Sequence, residues 1–417
     1  MNKCALLLKN LVVIVLLGLL SCNTLFSQEI QVGDPLPLWS DGYLDIHFVN
    51  TGKGESAFYI LPDGTTLLVD AGVTLASEVR GIATRPNTSR TPGEWIARYI
   101  RHFSPDRNNG KLNYIMTSHF HEDHIGGITP ETKSSPAGQY KLSGITEVGD
   151  LLSCDKLIDR GWPDYDYPVP LTSNVGINYI KFAQWMEKNK KGTVEQFKVG
   201  VNNQLTLVNN PQRYPNFEIR NIASNGYIWT GVADNSRNHL PPIKDIPKED
   251  IPDQNAFSIA FRLSYGKFDF FTGGDIYSVT DYLWQNMETP IGLVTGPVEV
   301  CKANHHGNFD TMGKDFLQAL RPRAIVIHNW IAQQPDMAVL RRMLSTKTYP
   351  GPRDVFTTNM RNETIIVAGW AMERLKSQQG HVVVRVSPGG DHYSIYILDD
   401  SEESYNVKAV FGPYLSD

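Results

Sequence analysis

The chain has 417 residues, 41% of them hydrophobic and 20% charged, with a formal net charge of −5. This is the composition of an ordinary soluble globular protein, long enough for two or three average domains or one large α/β domain. The mildly acidic balance argues against a broad electrostatic footprint for nucleic acid or an anionic membrane surface.

The first segment predicts export. Lys3 and Lys9 precede an apolar run from Leu11 to Leu20. Ten residues rise only ~15 Å as a helix, too short to cross a bilayer, so the run reads as a signal segment. It ends in Leu19-Leu20-Ser21-Cys22, which resembles a bacterial lipobox. That resemblance implies removal of residues 1–21, acylation of Cys22 and anchoring in the bacterial envelope. Cleavage near Ser27, giving a soluble periplasmic protein, is the alternative. Residues 22–42 are polar, with Pro35 and Pro37, and read as a tether. Cys154 and Cys301 are then the thiols left to the folded part, and two cysteines imply no disulfide framework.

Regular structure begins with the alternation of Leu44, Ile46 and Phe48, a strand. Further strands are predicted at Ala57 to Leu61 and Leu67 to Val69, joined by the turns Gly52-Lys53-Gly54 and Pro62-Asp63-Gly64. A helix is expected around Glu94 to His102, then a short buried strand from Leu112 to Met116. The stretch 129–253 is rich in Asn, Asp, Pro and aromatics, with one clear helix at Asn174 to Lys188, and reads as a large insertion. A hairpin (Phe257 to Leu263, Phe268 to Thr272) and a strand (Val298 to Ala303) follow. Helices at Gly313–Leu320 and Asp336–Leu344 bracket a strand at Ala324 to Ile327. The last predicted hairpin joins Val382–Val386 to Ser394–Leu398, leaving 401–417 as a C-terminal tail.

Three of the eleven histidines fall within six positions, in Ser118-His119-Phe120-His121-Glu122-Asp123-His124. At the mouth of a strand alternate side chains point the same way, so His119 and His121 can reach one point. The following turn lets Asp123 and His124 face a second. Imidazole and carboxylate without thiolate suit zinc, manganese or iron.

The run His119 to Gly127 is similar to the His-x-His-x-Asp-His signature of the metallo-β-lactamase superfamily. Its flanks agree: Leu68-Val69-Asp70-Ala71-Gly72 after an early strand, Gly273-Gly274-Asp275 after a later hairpin, and Asn304-His305-His306-Gly307 after another strand. The opening from Leu44 and the His-His-Gly element look like the branch that includes the hydrolase domain of DNA-uptake channels and phosphorylcholine esterases. The resemblance implies an α/β fold, a four-layer αββα sandwich over residues 43–400. It implies two divalent ions, zinc or else manganese, held by His119, His121, Asp123, His124, Asp275 and His306, with His305 as the alternative to His306. Asp123, Asp275 and His305 become the catalytic candidates, His305 touching the leaving group. Asp70 is expected to orient ligands from behind. For a further histidine ligand usual in the family the interval offers only His239, in a Pro-flanked polar stretch and expected at the surface, and Asn255 and Ser258 match the branch that lacks that ligand. His328 is a candidate contact at the same edge, and Trp162, Tyr165, Tyr167, Trp229 and Trp330 could form an aromatic wall for a cationic group.

The chemistry so implied is hydrolysis by a metal-bridging hydroxide. A small phosphodiester or related ester is the expected substrate, membrane contact is through the lipid on Cys22, and nucleic acid is not an expected partner. The alternatives are a nuclease, a lactone or carboxylic-ester hydrolase, and a lipid-anchored binding protein that has kept the pocket.

Overall fold

The computed structural model describes residues 30–75, 77–106, 110–278 and 282–417. The export segment and Cys22 lie outside the described residues. No helix among the described residues is long and apolar enough to cross a membrane.

The chain builds one sheet, then a second, then returns to the first. β1 (Leu44–Phe48), β2 (Ala57–Ile60), β3 (Thr66–Val69), β4 (Leu112–Met116), β5 (Cys154–Asp159) and β6 (Thr193–Gln196) lie side by side. The second sheet takes β7 (Phe217–Ser224), β8 (Tyr227–Trp229), β9 (Ser236–Asn238), β10 (Ala260–Tyr265), β11 (Phe268–Thr272), β12 (Val300–Lys302), β13 (Ala324–Ile327), β14 (Asp354–Thr357) and β15 (Leu375–Ser377). β16 (His381–Val386) then pairs antiparallel with β1, and β17 (His392–Leu398) and β18 (Val407–Leu415) complete the first sheet. In the first sheet β3 to β6 pair in parallel, as do β11 to β15 in the second. The ends of these parallel strands carry the site.

Alternation decides the layers. Leu44, Ile46 and Phe48 of β1 enter the core between the sheets, with Tyr59, Met116, Phe261, Phe270 and Val384. The opposite face of the first sheet is covered by α1 (Pro92–Phe103), α3 (Ile145–Leu151) and α4 (Asn174–Lys188), through Ile96, Ile100, Val148 and Phe182. A fourth helix of one turn, α2 (Glu122–Ile125), belongs to the site. The outer face of the second sheet packs α5 (Glu288–Thr295), α6 (Lys314–Leu320) and α7 (Met337–Leu344) on Phe271 and Ile325. The result is the αββα sandwich. α1 starts as its sequence dictates: Thr91 caps Glu94 N, Glu94 caps back, and Pro92 fills the first turn.

Because helices cover it, the polar face of β1 is buried too. Asp45 pairs with Arg385 at 2.6 Å, and His47 Nδ1 lies 2.9 Å from the Tyr99 hydroxyl.

Three sequence expectations change. The stretch 129–253 is not an insertion as a whole: β5 and β6 extend the first sheet, β7 pairs with β10, and α3 and α4 cover one face. Its strands are short, and Cys-Asp-Lys-Leu-Ile-Asp carries too many polar residues to read as one. Residues 401–417 are not a tail, since β18 pairs along β17. The end of the tether is docked as well: Gly33 N donates to Val407 O, Val407 N to Asp34 O, and Leu36 is buried. Cys154 belongs to the core under α4 and Cys301 to the core under α6, so both are free and neither can reach the other.

Candidate metal centre

Four loops meet at the ends of β3, β4, β11 and β12. The chain leaves β4 through Thr117 and Ser118, and His119 and His121 turn to the same side while Phe120 packs into the core on Tyr179. His119 Nε2 and His121 Nδ1 lie 3.1 Å apart. His121 has extended backbone and begins α2, whose first turn carries Asp123 and His124.

Asp275 follows β11 through Gly273 and Gly274. Gly274 has φ +54, and a Cβ there would meet the Cβ atoms of Ser118 and Ser258 at 2.9 Å. No other residue fits that approach without displacing the site. Gly72 plays the same part below, where a Cβ would fall 1.7 Å from the Asp123 carbonyl oxygen.

Asp275 is the meeting point. Its Oδ2 lies 3.1 Å from His124 Nε2, 3.2 Å from His306 Nε2 and 3.9 Å from His119 Nε2. Asp123 Oδ2 lies 3.1 Å from His306 Nε2 and 3.8 Å from His124 Nε2. Two clusters result, His119 with His121 and Asp123 with His124 and His306, with Asp275 between them.

His305 and His306 part company. Both have left-handed backbone, φ +43 and +54, in a tight turn after β12. Such conformations cost of order 1–3 kcal/mol each and persist where surroundings fix them. The fixing comes from Glu288, a buried carboxylate accepting from Asn304 Nδ2, Met312 N and Gly313 N, its pKa pushed up to about 7 by burial. His306 is fully buried and faces the two aspartates. His305 keeps 19% side-chain exposure, with Nδ1 3.0 Å from Asp310 Oδ1 and Nε2 3.3 Å from Asn255 Nδ2.

The electrostatics ask for positive charge at this centre. Burial works against charging His306, yet Asp275 and Asp123 hold its pKa up at about 9, and they raise His124 likewise. His119 is pushed well down by burial and its histidine neighbours, which leaves it neutral. Buried carboxylates facing imidazoles are a donor set for divalent cations, and Asp275 Oδ1 and Asn255 Oδ1 are buried without a hydrogen-bond partner. The residues fit the ions.

Behind His124, Asp70 Oδ2 lies 2.8 Å from His124 Nδ1 and accepts from Ser118 Oγ at 2.6 Å. Ser258 Oγ accepts from Asp275 N at 3.1 Å, which places it under the backbone of that aspartate. His328 is buried against Phe48, its pKa lowered to about 3 by burial, and Nδ1 comes no closer than 3.9 Å to Glu55. At 1% exposure it cannot touch a substrate, and it stands behind the site on the Glu55 side.

The aromatic wall is not assembled. Tyr165 is buried with its hydroxyl on Asp159, Trp162 packs against the core, and Tyr167 lies beside Tyr227. Trp330 alone stands at the centre, 6.0 Å from the His306 ring. Tyr165 and Trp162 pack in the core shared with α4, Tyr167 stays exposed, and Trp229 packs on the second sheet.

Sequence reasoning missed Glu55, Lys302 and Asp310. Four buried donors, Glu55, His124, Asp275 and His306, lie within 4.8 Å of one another. Lys302 Nζ holds Glu55 at 2.9 and 2.7 Å. The signal for Lys302 was a lysine inside an apolar strand, since lysines are almost never fully buried without a partner.

Residues 50–149 match the family model of the metallo-beta-lactamase superfamily. That span runs from the end of β1 through α3 and carries Asp70, His119, His121, Asp123 and His124. No curated protein matches the chain. The match and the two-sheet sandwich give this chain the superfamily's fold. With the buried donor cluster they support a metal-dependent hydrolase.

Proposed function

Starting from that superfamily match, we propose that the protein is a binuclear phosphodiesterase acting on a small head-group-like ester. The observation that carries the reading is Asp275 Oδ2 standing between two ligand clusters, within 3.9 Å of three imidazoles. His119, His121 and Asp275 would hold one ion, and Asp123, His124, His306 and Asp275 the other, zinc or else manganese. Bound there, paired divalent ions supply an activated water near neutral pH and hold the oxygens of an attacked phosphoryl or carbonyl group.

The chain's own residues supply the rest. His305 is the exposed imidazole beside the ligands, and Asp310 fixes its Nδ1 as the donor edge. Burial opposes its charge, but Asp310 and Asp275 raise its pKa, so the ring can carry a proton to a departing oxygen. An alkoxide needs that proton, which favours an ester with a poor leaving group. Trp330, packed 6.0 Å from the His306 ring, helps keep bulk water from it.

A chain following DNA needs a cationic groove, and the overall charge is −5. Asp253 caps the turn before Asn255 and its electrostatic neighbours include His121 and His305, so the mouth carries an acidic group where a polynucleotide would bring phosphates. We further propose that Cys22 is lipidated and tethers the enzyme to the envelope, which puts head-group esters within reach.

The test is a substrate panel with purified, metal-loaded protein. Turnover of bis-p-nitrophenyl phosphate or p-nitrophenyl phosphorylcholine is expected, with little cleavage of single- or double-stranded DNA at physiological salt. Efficient DNA cleavage alongside inert small diesters would replace this reading with a nuclease.

A further inference from the structure

Lys302 is a fully buried ammonium at the end of β12, and its contacts belong to the metal centre. Its Nζ donates to Glu55 Oε1 at 2.9 Å, to Glu55 Oε2 at 2.7 Å and to the Gly274 carbonyl at 2.8 Å, and it stands 3.9 Å from Asp275 Oδ1. Glu55 is tied in by its backbone as well, donating to the Asp123 carbonyl and accepting from Gly72 N, both at 2.8 Å. Its Oε2 lies 3.7 Å from His306 Nδ1, an atom buried with no hydrogen-bond partner. The opposite edge of that ring, Nε2, faces Asp123 and Asp275.

His124 is built on the same plan: Nδ1 meets Asp70 at 2.8 Å and Nε2 meets Asp275 at 3.1 Å. Each imidazole has a ligand edge and a carboxylate edge. We propose that Glu55 is the positioning residue for His306, that Lys302 holds Glu55 in place, and that the pair aims His306 Nε2 at the second ion; this rests on the metal-centre reading. At 3.7 Å the contact is electrostatic, and a shift of under about 1 Å makes it a hydrogen bond.

Glu55 is not itself a ligand, although it lies within 4.8 Å of three other donors. Both its oxygens already accept from Lys302, whose Nζ stands between Glu55 and Asp275 Oδ1. An ion on Glu55 would also sit against an ammonium in contact with the same carboxylate.

The test reads Co2+ binding to the chelator-stripped full chain, by competition with a chromophoric chelator and by the visible spectrum of bound Co2+. In Glu55→Gln, one of the two Co2+ equivalents should weaken roughly 10–100-fold while the other stays within about threefold, with circular dichroism unchanged. Because that variant leaves a buried lysine without its counter-charge, Glu55→Gln/Lys302→Met carries the same test with no charge stranded, and the same weakening is expected. Unchanged affinity for both equivalents in either folded variant would overturn the proposal. So would complete loss of one equivalent with a new spectrum, which would make Glu55 a ligand. Wild-type protein that takes up no Co2+ would remove the metal centre itself, an outcome distinct from both.

Discussion

Asp310 Oδ1 lies 3.0 Å from Nδ1 of His305, and that contact decides which edge of the ring faces the cleft. With Nδ1–H donating to the carboxylate, Nε2 is left beside Asn255 and free to exchange a proton with a substrate. Asp310→Asn should lower kcat on an alkyl phosphodiester about 100-fold with little change in KM. The loss should shrink on a p-nitrophenyl ester, whose leaving group departs without a proton. Equal losses on both substrates would deny His305 the role of acid.

Asp275→Asn should cost more than any other single ligand change, because both clusters face its Oδ2. Metal content, measured by plasma mass spectrometry, should fall from two equivalents to one or fewer, and hydrolysis by roughly a thousandfold or more. His121→Ala should remove about one equivalent. Two ions retained in His121→Ala would show that the His-x-His pair is not part of the ligand set.

Asp70→Asn tests the support behind His124. Asp70 accepts from Ser118 and faces His124 Nδ1 at 2.8 Å. An amide nitrogen on that edge would favour the opposite tautomer, and metal affinity should drop about 10–100-fold. Affinity equal to wild type, measured by chelator competition, would make Asp70 a backbone element only.

A pH effect is expected far from the centre. His381 accepts from Asn50 N at 3.0 Å and is fully buried beside Tyr99, and burial lowers its pKa from 6.5 to about 3. Below 6.5 the unfolded chain binds a proton there that the folded chain refuses. The stability His381 contributes is therefore complete above 6.5 and lost as pH falls toward 3. Other buried groups, Glu288 and Glu147 with pKa raised to about 7 by burial, act in the opposite sense, so the comparison must be with a variant. Between pH 6 and 4, wild type should lose about 1.4 kcal/mol per pH unit relative to His381→Gln in urea unfolding. Parallel curves would mean that His381 titrates normally.

Cys22→Ser should release the protein from membranes into the soluble fraction, since several acyl chains anchor stably where one is marginal. Mass spectrometry of the mature N-terminus checks this directly. An unmodified chain beginning at Gln28 would rule out the lipid.

The signature was legible because its spacing is local. Six residues put His119, His121, Asp123 and His124 on one turn, and short Gly-marked loops announced Asp70, Asp275 and the His305–His306 pair. The hairpins and four of the helices, at 92–103, 174–188, 314–320 and 337–344, followed from the spacing of apolar residues. What stayed hidden depends on distant contacts. Glu55 sits in a Gly-rich turn and reads as solvated until Lys302, 247 residues on, is seen to hold it. Asp310 is a loop aspartate until the left-handed turn brings His305 onto it. The segment 129–253 read as an excursion because β5 is half polar and its pairing with β4 cannot be seen in its own residues.

The candidate ligands are drawn from both sheets: four follow β4, while Asp275 and His306 follow β11 and β12. His124 and Asp275 are 151 residues apart in the chain yet 3.1 Å apart in space. An ion gripped by both is a reversible suture across that loop, comparable to a cross-link worth on the order of 4–5 kcal/mol in chain entropy. Withdrawing metal would then do more than stop chemistry. It would unfasten one side of the sandwich and turn two braced halves into a book free to open at its edge. Scarcity of the ion would then show as susceptibility to proteases alongside the lost chemistry.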